Sequence, residues 1–341
     1  MPILELLLCR VPLKKKIGLR LLPLFLFPAL HAAAQQEPSF NVHANLVPVS
    51  TLVKDGDGNI VYGLLAQDFI IEDDGAEQAV HLDESAKAEP ISIVIAMQCG
   101  RRAKHEFSRM RGLASMLDPI LSRPSTEAAL LLFDSKLSLV RDFTNDPDVI
   151  EQELKNLKPG DSGAAILDAV AYSARLLDRR PKGAQRVLLL ISETRDHGSH
   201  FAQFDDVIKL IGTTNASVYA ISFSPYVSEQ LDVVRGTNKD EWQPGVDILA
   251  KIVAARQAMR KNTPKVLASM TGGEYNLFPS RKGFEVAISS FTNHLHSRYR
   301  LSFEPKDPHP GLHAIRVRLR AQAPNEILLF RSSYWAEDLS K

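Results

Sequence analysis

The chain has 341 residues, of which 45% are apolar and 24% are charged, a composition typical of a soluble protein with one large or two modest domains. Its 41 basic and 40 acidic residues leave a formal net charge of +1. This balance excludes the strongly basic surface that a nucleic-acid-binding protein presents.

Residues 1–34 have the pattern of a secretory signal peptide. Three lysines at 14–16 precede the apolar run 21–30, and the alanines at 32–34 are small residues suited to signal peptidase. The apolar run is well short of the ~20 residues that span a membrane. We therefore expect cleavage after Ala34, no membrane span in the mature chain, and export to the periplasm, the cell surface or the medium.

Cleavage at this position would change both the charge and the cysteine content. The removed segment carries five basic residues and one acidic residue, so the net charge would fall from +1 to −3. Cys99 would then be the single cysteine of the mature chain, which leaves no intrachain disulfide. The apolar run before Cys99 indicates a buried thiol.

The segment 35–88 is typical of β-structure. Residues 41–49, 51–53 and 69–73 predict strands, and the acidic, glycine-containing stretch 55–59 predicts a hairpin turn. That stretch superficially resembles a calcium loop, but the remaining ligands and the bidentate glutamate of such a loop are absent. A turn is therefore favoured over a metal site.

Strands and helices alternate in the segment 89–297. Strand-like runs lie at 91–97, 127–133, 137–141, 186–192 and 216–223, and the clearest helical spacing of apolar residues lies at 164–178. This alternation predicts an α/β domain with a doubly wound, mainly parallel sheet of the Rossmann type. Residues 225–262 interrupt it with a loop and a helix from about 246. An interruption of this length is more often functional or mobile than a plain connection.

The segment 298–341 returns to β-structure. His313, Ile315, Val317 and Leu319 share one face of an alternating strand. Neither this segment nor 35–88 is large enough to be stable alone. We therefore predict that the two pair into a β-sandwich, with the α/β domain inserted between them.

Four stretches resemble the von Willebrand factor A-related exported proteins common in Acidobacteria. They are V-K-D-G-D-G with G-L-L-A-Q-D-F at 53–58 and 63–69, the strand at 90–96, L-A-S-M-T-G-G at 267–273, and Y-R-L-S-F-E-P at 299–305 with S-Y-W at 333–335. The resemblance spans the mature chain. It implies the von Willebrand factor A-like fold and a family architecture, not an activity.

The resemblance also implies where a metal-ion-dependent adhesion site would lie. In the parent fold, one Asp and two Ser from a first loop, a Thr from a second and an Asp from a third hold a divalent cation that a partner carboxylate completes. The resemblance places these positions on Gln98, Gly100 and Arg102, on Ala164 with Ser162 nearby, and on Glu193 or Asp196. Most ligands are lost and Arg101 and Arg102 add positive charge, so we expect a degenerate site with weak or absent metal binding.

These features predict a non-enzymatic module that binds a protein partner and has no cofactor. Binding would use the loops after 91–97 and 186–192, with the interruption at 225–262 contributing. Arg101 and Arg102 either bind a partner carboxylate in place of the metal or form a solvated surface. The alternatives are a purely structural component of the cell envelope and a hydrolase that uses the cluster Glu193, Asp196, His197 and His200.

Overall fold

The computed structural model describes residues 46–83, 90–100, 102–223, 248–321 and 325–337, with the backbone alone described for 248–254. The proposed signal peptide, Arg101 and most of the interruption at 225–262 lie outside the described residues. Within the described ranges, no helix has the length and apolar content to cross a bilayer.

The order of elements follows the predicted β, α/β, β arrangement. The strands are β1 (Val47–Lys54), β2 (Phe69–Asp73), β3 (Ala76–Gln78), β4 (His81–Leu82), β5 (Ile91–Gln98), β6 (Thr126–Phe133), β7 (Leu137–Thr144), β8 (Gln185–Glu193), β9 (Ser217–Phe223), β10 (Tyr275–Leu277), β11 (Tyr299–Phe303), β12 (Gly311–Leu319), β13 (Ile327–Phe330) and β14 (Ser333–Ala336). The helices are α1 (Leu113–Leu121), α2 (Pro147–Lys155), α3 (Ile166–Asp178), α4 (Phe204–Thr214), α5 (Ile248–Lys261), α6 (Thr263–Thr271) and α7 (Arg281–Leu295).

A six-stranded sheet in the order β10-β9-β8-β5-β6-β7 forms the centre of the α/β region. All neighbours pair in parallel except β6 and β7, which are antiparallel. Every residue of β5 is buried, because a central parallel strand is covered on both faces. The five strands predicted between 91 and 223 and the helix predicted at 164–178 are confirmed, with small shifts at their ends.

The side chains of β5 alternate between two hydrophobic cores. Ile93 and Ile95 pack in the core that α1, α2 and α7 cover, whereas Val94 and Ala96 pack in the core that α3, α4 and α6 cover. Helices on both faces of one mainly parallel sheet make the fold doubly wound, as the sequence predicts.

The two terminal β segments combine into a sandwich of two four-stranded sheets. One sheet has the order β13-β1-β11-β4 and the other the order β14-β12-β2-β3, so each contains strands from both ends of the chain. Residues of both sheets share one core, with Val49 and Phe303 from the first facing Ile71 and Val317 from the second. The predicted pairing of the terminal segments is confirmed, and the domain boundaries after residues 34, 88 and 297 stay predictions.

Candidate functional site

The last residues of two neighbouring strands meet at the carboxyl edge of the central sheet. β5 and β8 pair in parallel with Met97 opposite Ile191, so Gln98 and Glu193 reach the same edge. Nε2 of Gln98 donates to Oε1 of Glu193 at 2.9 Å, and the backbone N–H of Glu193 donates to Oε1 of Gln98 at 2.9 Å. In open α/β sheets this edge is where ligands bind.

Two further side chains contact the Glu193 carboxylate, which is 4% exposed. Nη1 of Arg102 donates to Oε2 at 3.2 Å, and Nε2 of His197 lies 2.6 Å from Oε1. A buried carboxylate needs such partners, because an unpaired charge away from water is strongly destabilising. An amide, a guanidinium and an imidazole therefore surround the carboxylate at the centre of this edge.

In the second loop, the position that the resemblance assigns to a metal-binding threonine forms backbone hydrogen bonds. Ala164 is fully buried, and it exchanges two backbone hydrogen bonds with His197, at 2.9 and 3.0 Å. Ser162 is exposed beside it. A Cβ atom on Gly100 would lie 2.7 Å from the carbonyl oxygen of Gly163, so the first and second loops are in close backbone contact.

The Asp196 carboxylate has its own contacts, with the start of α3 and with Ser199. Its Oδ1 accepts hydrogen bonds from the backbone N–H of Leu167, at 3.0 Å, and from the Ser199 hydroxyl, at 2.6 Å. Leu167 lies in the first turn of α3, where free N–H groups and the helix dipole favour a carboxylate. Of the two third-loop candidates, Glu193 is therefore the one that meets Gln98 and Arg102.

The hydrolase hypothesis requires Glu193, Asp196, His197 and His200 to act together. His197 contacts Glu193, while Asp196 contacts α3 and Ser199, so Asp196 does not join the contact between His197 and Glu193. Their ligand atoms do not form a group that could hold one metal ion. Of the four residues that the hydrolase hypothesis requires, His197 and Glu193 form a His–carboxylate contact at this edge.

The donor set at the edge does not match a hard divalent cation. Mg²⁺ and Ca²⁺ take six or more oxygen ligands. Gly100 and Ala164 offer no side-chain oxygen, and three nitrogen donors already contact Glu193. The Arg102 side chain is 59% exposed, so the guanidinium can accept an anion from solvent while it contacts Glu193.

Phe201 is the side chain at this edge that sequence reasoning missed. It is 89% exposed. The backbone N–H groups of His200, Phe201 and Ala202 donate to the buried Asp168 carboxylate at 2.8, 3.0 and 2.6 Å. The loop therefore holds an aromatic ring in solvent on a fixed backbone. A single phenylalanine in a loop gives no periodic signal that distinguishes it from a core residue.

Cys99 follows Gln98 and is buried, as the sequence predicts. Burial, with the negative charge of Asp134 as the next contribution, raises the pKa of the Cys99 thiol to about 11. The thiolate that nucleophilic chemistry needs is therefore scarce at neutral pH.

Residues 96–195 match the model of a family described as von Willebrand factor type A domain. The matched region runs from the end of β5 to the loop after β8 and so contains Gln98, Arg102 and Glu193. The α/β region has a von Willebrand factor A-like fold. None of the curated proteins matches the chain.

Several solved structures are similar to parts of this chain. The conserved hypothetical protein BatB from Bacteroides thetaiotaomicron is 14% identical, over 60% of this chain and 99% of that one, with a TM-score of 0.39. The von Willebrand factor domain of the type V pili tip protein Mfa5 from Porphyromonas gingivalis is 8% identical, over 61% and 95%, with a TM-score of 0.40. A von Willebrand factor type A protein from Catenulispora acidiphila is 10% identical, over 87% and 65%, with a TM-score of 0.43.

Proposed function

We propose that this protein is an exported, non-enzymatic interaction module that binds a protein partner at the carboxyl edge of its central sheet, without a metal ion. The A-like fold supports the choice of this edge, because ligands of open α/β sheets bind there. The proposal includes the signal peptide at 1–34 and the resemblance to the exported Acidobacteria-type proteins.

The observation that carries the proposal is the exposure of Phe201. A phenylalanine ring that is 89% exposed places apolar surface in water, where a partner can gain free energy by covering it. Aromatic residues are enriched in the centres of protein interfaces. The hydrogen bonds from the loop backbone to Asp168 hold the backbone that carries the ring, so binding loses little backbone entropy.

Arg102 gives the same edge a polar contact. Its guanidinium carries several donors, and the contact with Glu193 uses one nitrogen, Nη1, at 3.2 Å. The remaining donors can bind a carboxylate of a partner, which is the ligand that a cation would receive in the parent fold. Arg101 lies outside the described residues, and its role in this contact stays a prediction.

The expected degenerate metal site belongs to this proposal. The assigned positions Gln98, Gly100 and Ala164 carry no carboxylate or hydroxyl, and Glu193 is surrounded by three nitrogen donors. Calorimetric titration with Mg²⁺, Ca²⁺ or Mn²⁺ should give no binding that depends on Glu193.

To test the proposal, this protein is immobilised and incubated with envelope and secreted proteins of the source organism, and the proteins that it captures are identified. We would compare the unchanged chain with Phe201→Ala, Arg102→Ala and, as the matched control, Leu65→Ala. Leu65 is another exposed apolar residue, 51% exposed, but it precedes a short 3-10 helix of the sandwich. A partner of this edge should be captured equally by the unchanged chain and Leu65→Ala, and much less by Phe201→Ala.

Each alternative predicts a different outcome. A structural envelope component that binds nothing at this edge would give the same captured proteins with all four samples. A hydrolase would turn over ester, peptide or glycoside substrates and lose that activity in His197→Ala. Capture that survives both Phe201→Ala and Arg102→Ala would contradict the proposed edge.

A further inference from the structure

A second polar cluster lies in the β-sandwich, away from the sheet edge described above. It consists of His313 on β12, His309 in the loop before β12, and Asp74 in the turn between β2 and β3. One ligand atom from each of the three residues lies within 4.8 Å of the others. Among the described residues this is the group of His, Cys, Asp and Glu side chains that is close enough to hold one metal ion.

The hydrogen bond at Nε2 of His313 shows which ring nitrogen carries the proton when the imidazole is neutral. Nε2 of His313 lies 2.7 Å from the carbonyl oxygen of His309. A carbonyl oxygen only accepts, so Nε2 carries the proton. In the neutral imidazole, Nδ1 then presents a lone pair. Histidine ligands of metal ions commonly have this arrangement, with the second ring nitrogen donating to a carbonyl or a carboxylate.

Nδ1 of His313 is buried and lacks a hydrogen-bond partner, although two carboxylates face it. The His313 side chain is 1% exposed. Oδ2 of Asp74 lies 2.9 Å from Nδ1 and Oδ1 of Asp73 lies 3.4 Å from it, but neither contact has hydrogen-bond geometry. Oδ1 of Asp73 is likewise buried without a partner. A lone pair beside two carboxylates is unfavourable, and either a proton on Nδ1 or a metal cation between these groups relieves it.

The remaining contacts hold this arrangement in place. The Tyr334 hydroxyl donates to Oδ2 of Asp73 at 2.9 Å, and the Tyr334 ring stacks on His313 at 4.6 Å. The backbone N–H of Ala314 donates to Oδ1 of Asp74 at 2.9 Å, which leaves Oδ2 directed at the cluster. His309 stacks on the other face of His313, and its side chain is 48% exposed, so its ring can turn to direct a nitrogen at a bound ion.

We infer that Nδ1 of His313, Oδ2 of Asp74 and a ring nitrogen of His309 bind one transition-metal ion, with zinc as the best match. Two imidazoles and one carboxylate are a common zinc ligand set, and water can complete a tetrahedral site. Magnesium and calcium prefer all-oxygen sites and should bind poorly. The charge of Asp73, just outside the ligand set, would further favour a divalent cation.

Such an ion would connect two separate segments of the sandwich. Asp74 lies in the turn after β2, and His309 lies in the loop between β11 and β12. The proposed mature chain has one cysteine and cannot form an intrachain disulfide, so a metal ion would supply the cross-link that many exported proteins obtain from disulfides.

The test is a titration of the full chain, made without a polyhistidine tag and stripped with EDTA, with zinc sulfate. Calorimetry should show one zinc ion per chain, and the melting temperature should rise to a plateau as zinc is added. Cobalt(II) in place of zinc should give the visible absorption of a tetrahedral site with nitrogen ligands. Magnesium at the same concentrations should give neither the heat nor the shift.

Two substitutions of exposed ligands test where the ion binds without creating a cavity in the core of the sandwich. Asp74→Asn keeps the size of the side chain and an oxygen for the N–H of Ala314, and asparagine tolerates the positive φ of 47° at this position. His309→Ala removes a half-exposed ring. Each substitution should weaken zinc binding at least about tenfold. Loss of a residue that only hydrogen-bonds to a metal ligand already has an effect of about that size, and loss of a ligand should cost more.

The matched control is His81→Ala, which removes an exposed histidine from β4 of the same sandwich and should leave zinc binding unchanged. Absence of saturable zinc binding by the unchanged chain would overturn the inference, and a proton on Nδ1 would then take the place of the ion. Zinc binding that survives both Asp74→Asn and His309→Ala would also overturn it.

Discussion

Gln98 and Glu193 contact each other through two hydrogen bonds of 2.9 Å, one from the Gln98 amide to the Glu193 carboxylate and one from the Glu193 backbone to the Gln98 carbonyl oxygen. The pair joins the carboxyl ends of the two central strands, β5 and β8. At the position that the resemblance assigns to a metal-binding aspartate, this chain has an amide that donates to a carboxylate. Gln98 therefore has a structural role at this edge, because it holds the Glu193 side chain and backbone in place.

The first prediction compares Gln98→Ala with Arg102→Ala. The Gln98 change removes a donor from a buried carboxylate, removes the acceptor of the Glu193 N–H, and leaves a cavity, so it should lower the free energy of unfolding by about 2–4 kcal/mol. The Arg102 side chain is 59% exposed, and its loss should change stability by at most about 1 kcal/mol. Urea unfolding followed by circular dichroism measures both values. Equal losses would mean that the edge depends on the charge pair more than on the amide.

The second prediction concerns Gly100. A Cβ atom there would lie 2.7 Å from the Gly163 carbonyl oxygen and 3.0 Å from that of Asp161, both backbone atoms that move only with their loop. Gly100→Ala, and Gly100→Ser even more, should lower the unfolding free energy by about 1–3 kcal/mol. The serine that the resemblance implies at this position could therefore be introduced only with that loss of stability.

The control for Gly100 is Gly183→Ala. A Cβ atom on Gly183 meets nothing within 4 Å, so this substitution should be neutral or slightly stabilising. Both variants are compared with the unchanged chain in the same urea titration. A neutral result for Gly100→Ala would show that the two loops separate easily, and restoration of the metal ligands would then become a practical experiment.

The sequence predicts the fold well because its strongest signals are local. A short, mostly apolar and β-branched run such as 91–97 is typical of a central parallel strand that is buried on both faces. The helical spacing at 164–178 is equally regular. By contrast, β3, β4 and β13 have two to four residues each, too short to produce a periodic signal, and their pairing partners are set by contacts between distant parts of the chain.

The candidate site was predictable where it lies on strands and unpredictable where it lies on loops. Strand order brings Gln98 and Glu193 to one edge. The resemblance places the first-loop position on Gln98 and leaves the third-loop position open between Glu193 and Asp196. The direction of Asp196 toward α3 and of His197 toward Glu193 depends on loop geometry, which residue spacing does not determine. The exposure of Phe201 depends on the same loop, and it became evident only from the structure.

The third prediction concerns the reactivity of Cys99. With a pKa of about 11, compared with 9.0 for an unperturbed thiol, the thiolate at pH 8 is about a hundredfold rarer than in an exposed cysteine. Burial slows the reaction further. In a Cys9→Ser background, which leaves Cys99 as the single cysteine, Ellman's reagent should react at least about a hundredfold more slowly with the native chain than with the chain in urea. A fast native reaction would show that the loop after β5 opens readily and exposes the thiol.

The fourth prediction is a pH dependence of stability that comes from Glu274. Burial raises the pKa of the Glu274 carboxyl, but the hydrogen bond from His294 and the charges of Arg298 and Lys54 outweigh burial, so the pKa lies below its ordinary value. The contacts are 2.9 Å to His294, 3.2 Å to Lys54 and 3.6 Å to Arg298. These contacts join β1 of the sandwich to the carboxyl-terminal end of α7.

A carboxyl whose pKa is lower in the folded than in the unfolded state stabilises the fold above its unfolded pKa, and this stabilisation is lost as the pH falls through the folded pKa. At pH 7, Glu274→Gln should lower the unfolding free energy by about 2–4 kcal/mol, because it leaves the buried Arg298 without its counter-charge. The difference between the variant and the unchanged chain should shrink steadily below pH 4.5, the ordinary pKa of glutamate.

Glu285→Gln is the matched control for Glu274. Glu285 forms an exposed i,i+4 pair with Arg281 on α7, and its loss should be worth about 0.5 kcal/mol or less. Guanidinium unfolding at pH 7, 5, 4 and 3 measures all three chains. If the difference in unfolding free energy between Glu274→Gln and the unchanged chain stayed constant over this range, the effect would come from packing. A contribution from the charge of the carboxylate must change with pH, whereas a packing contribution does not.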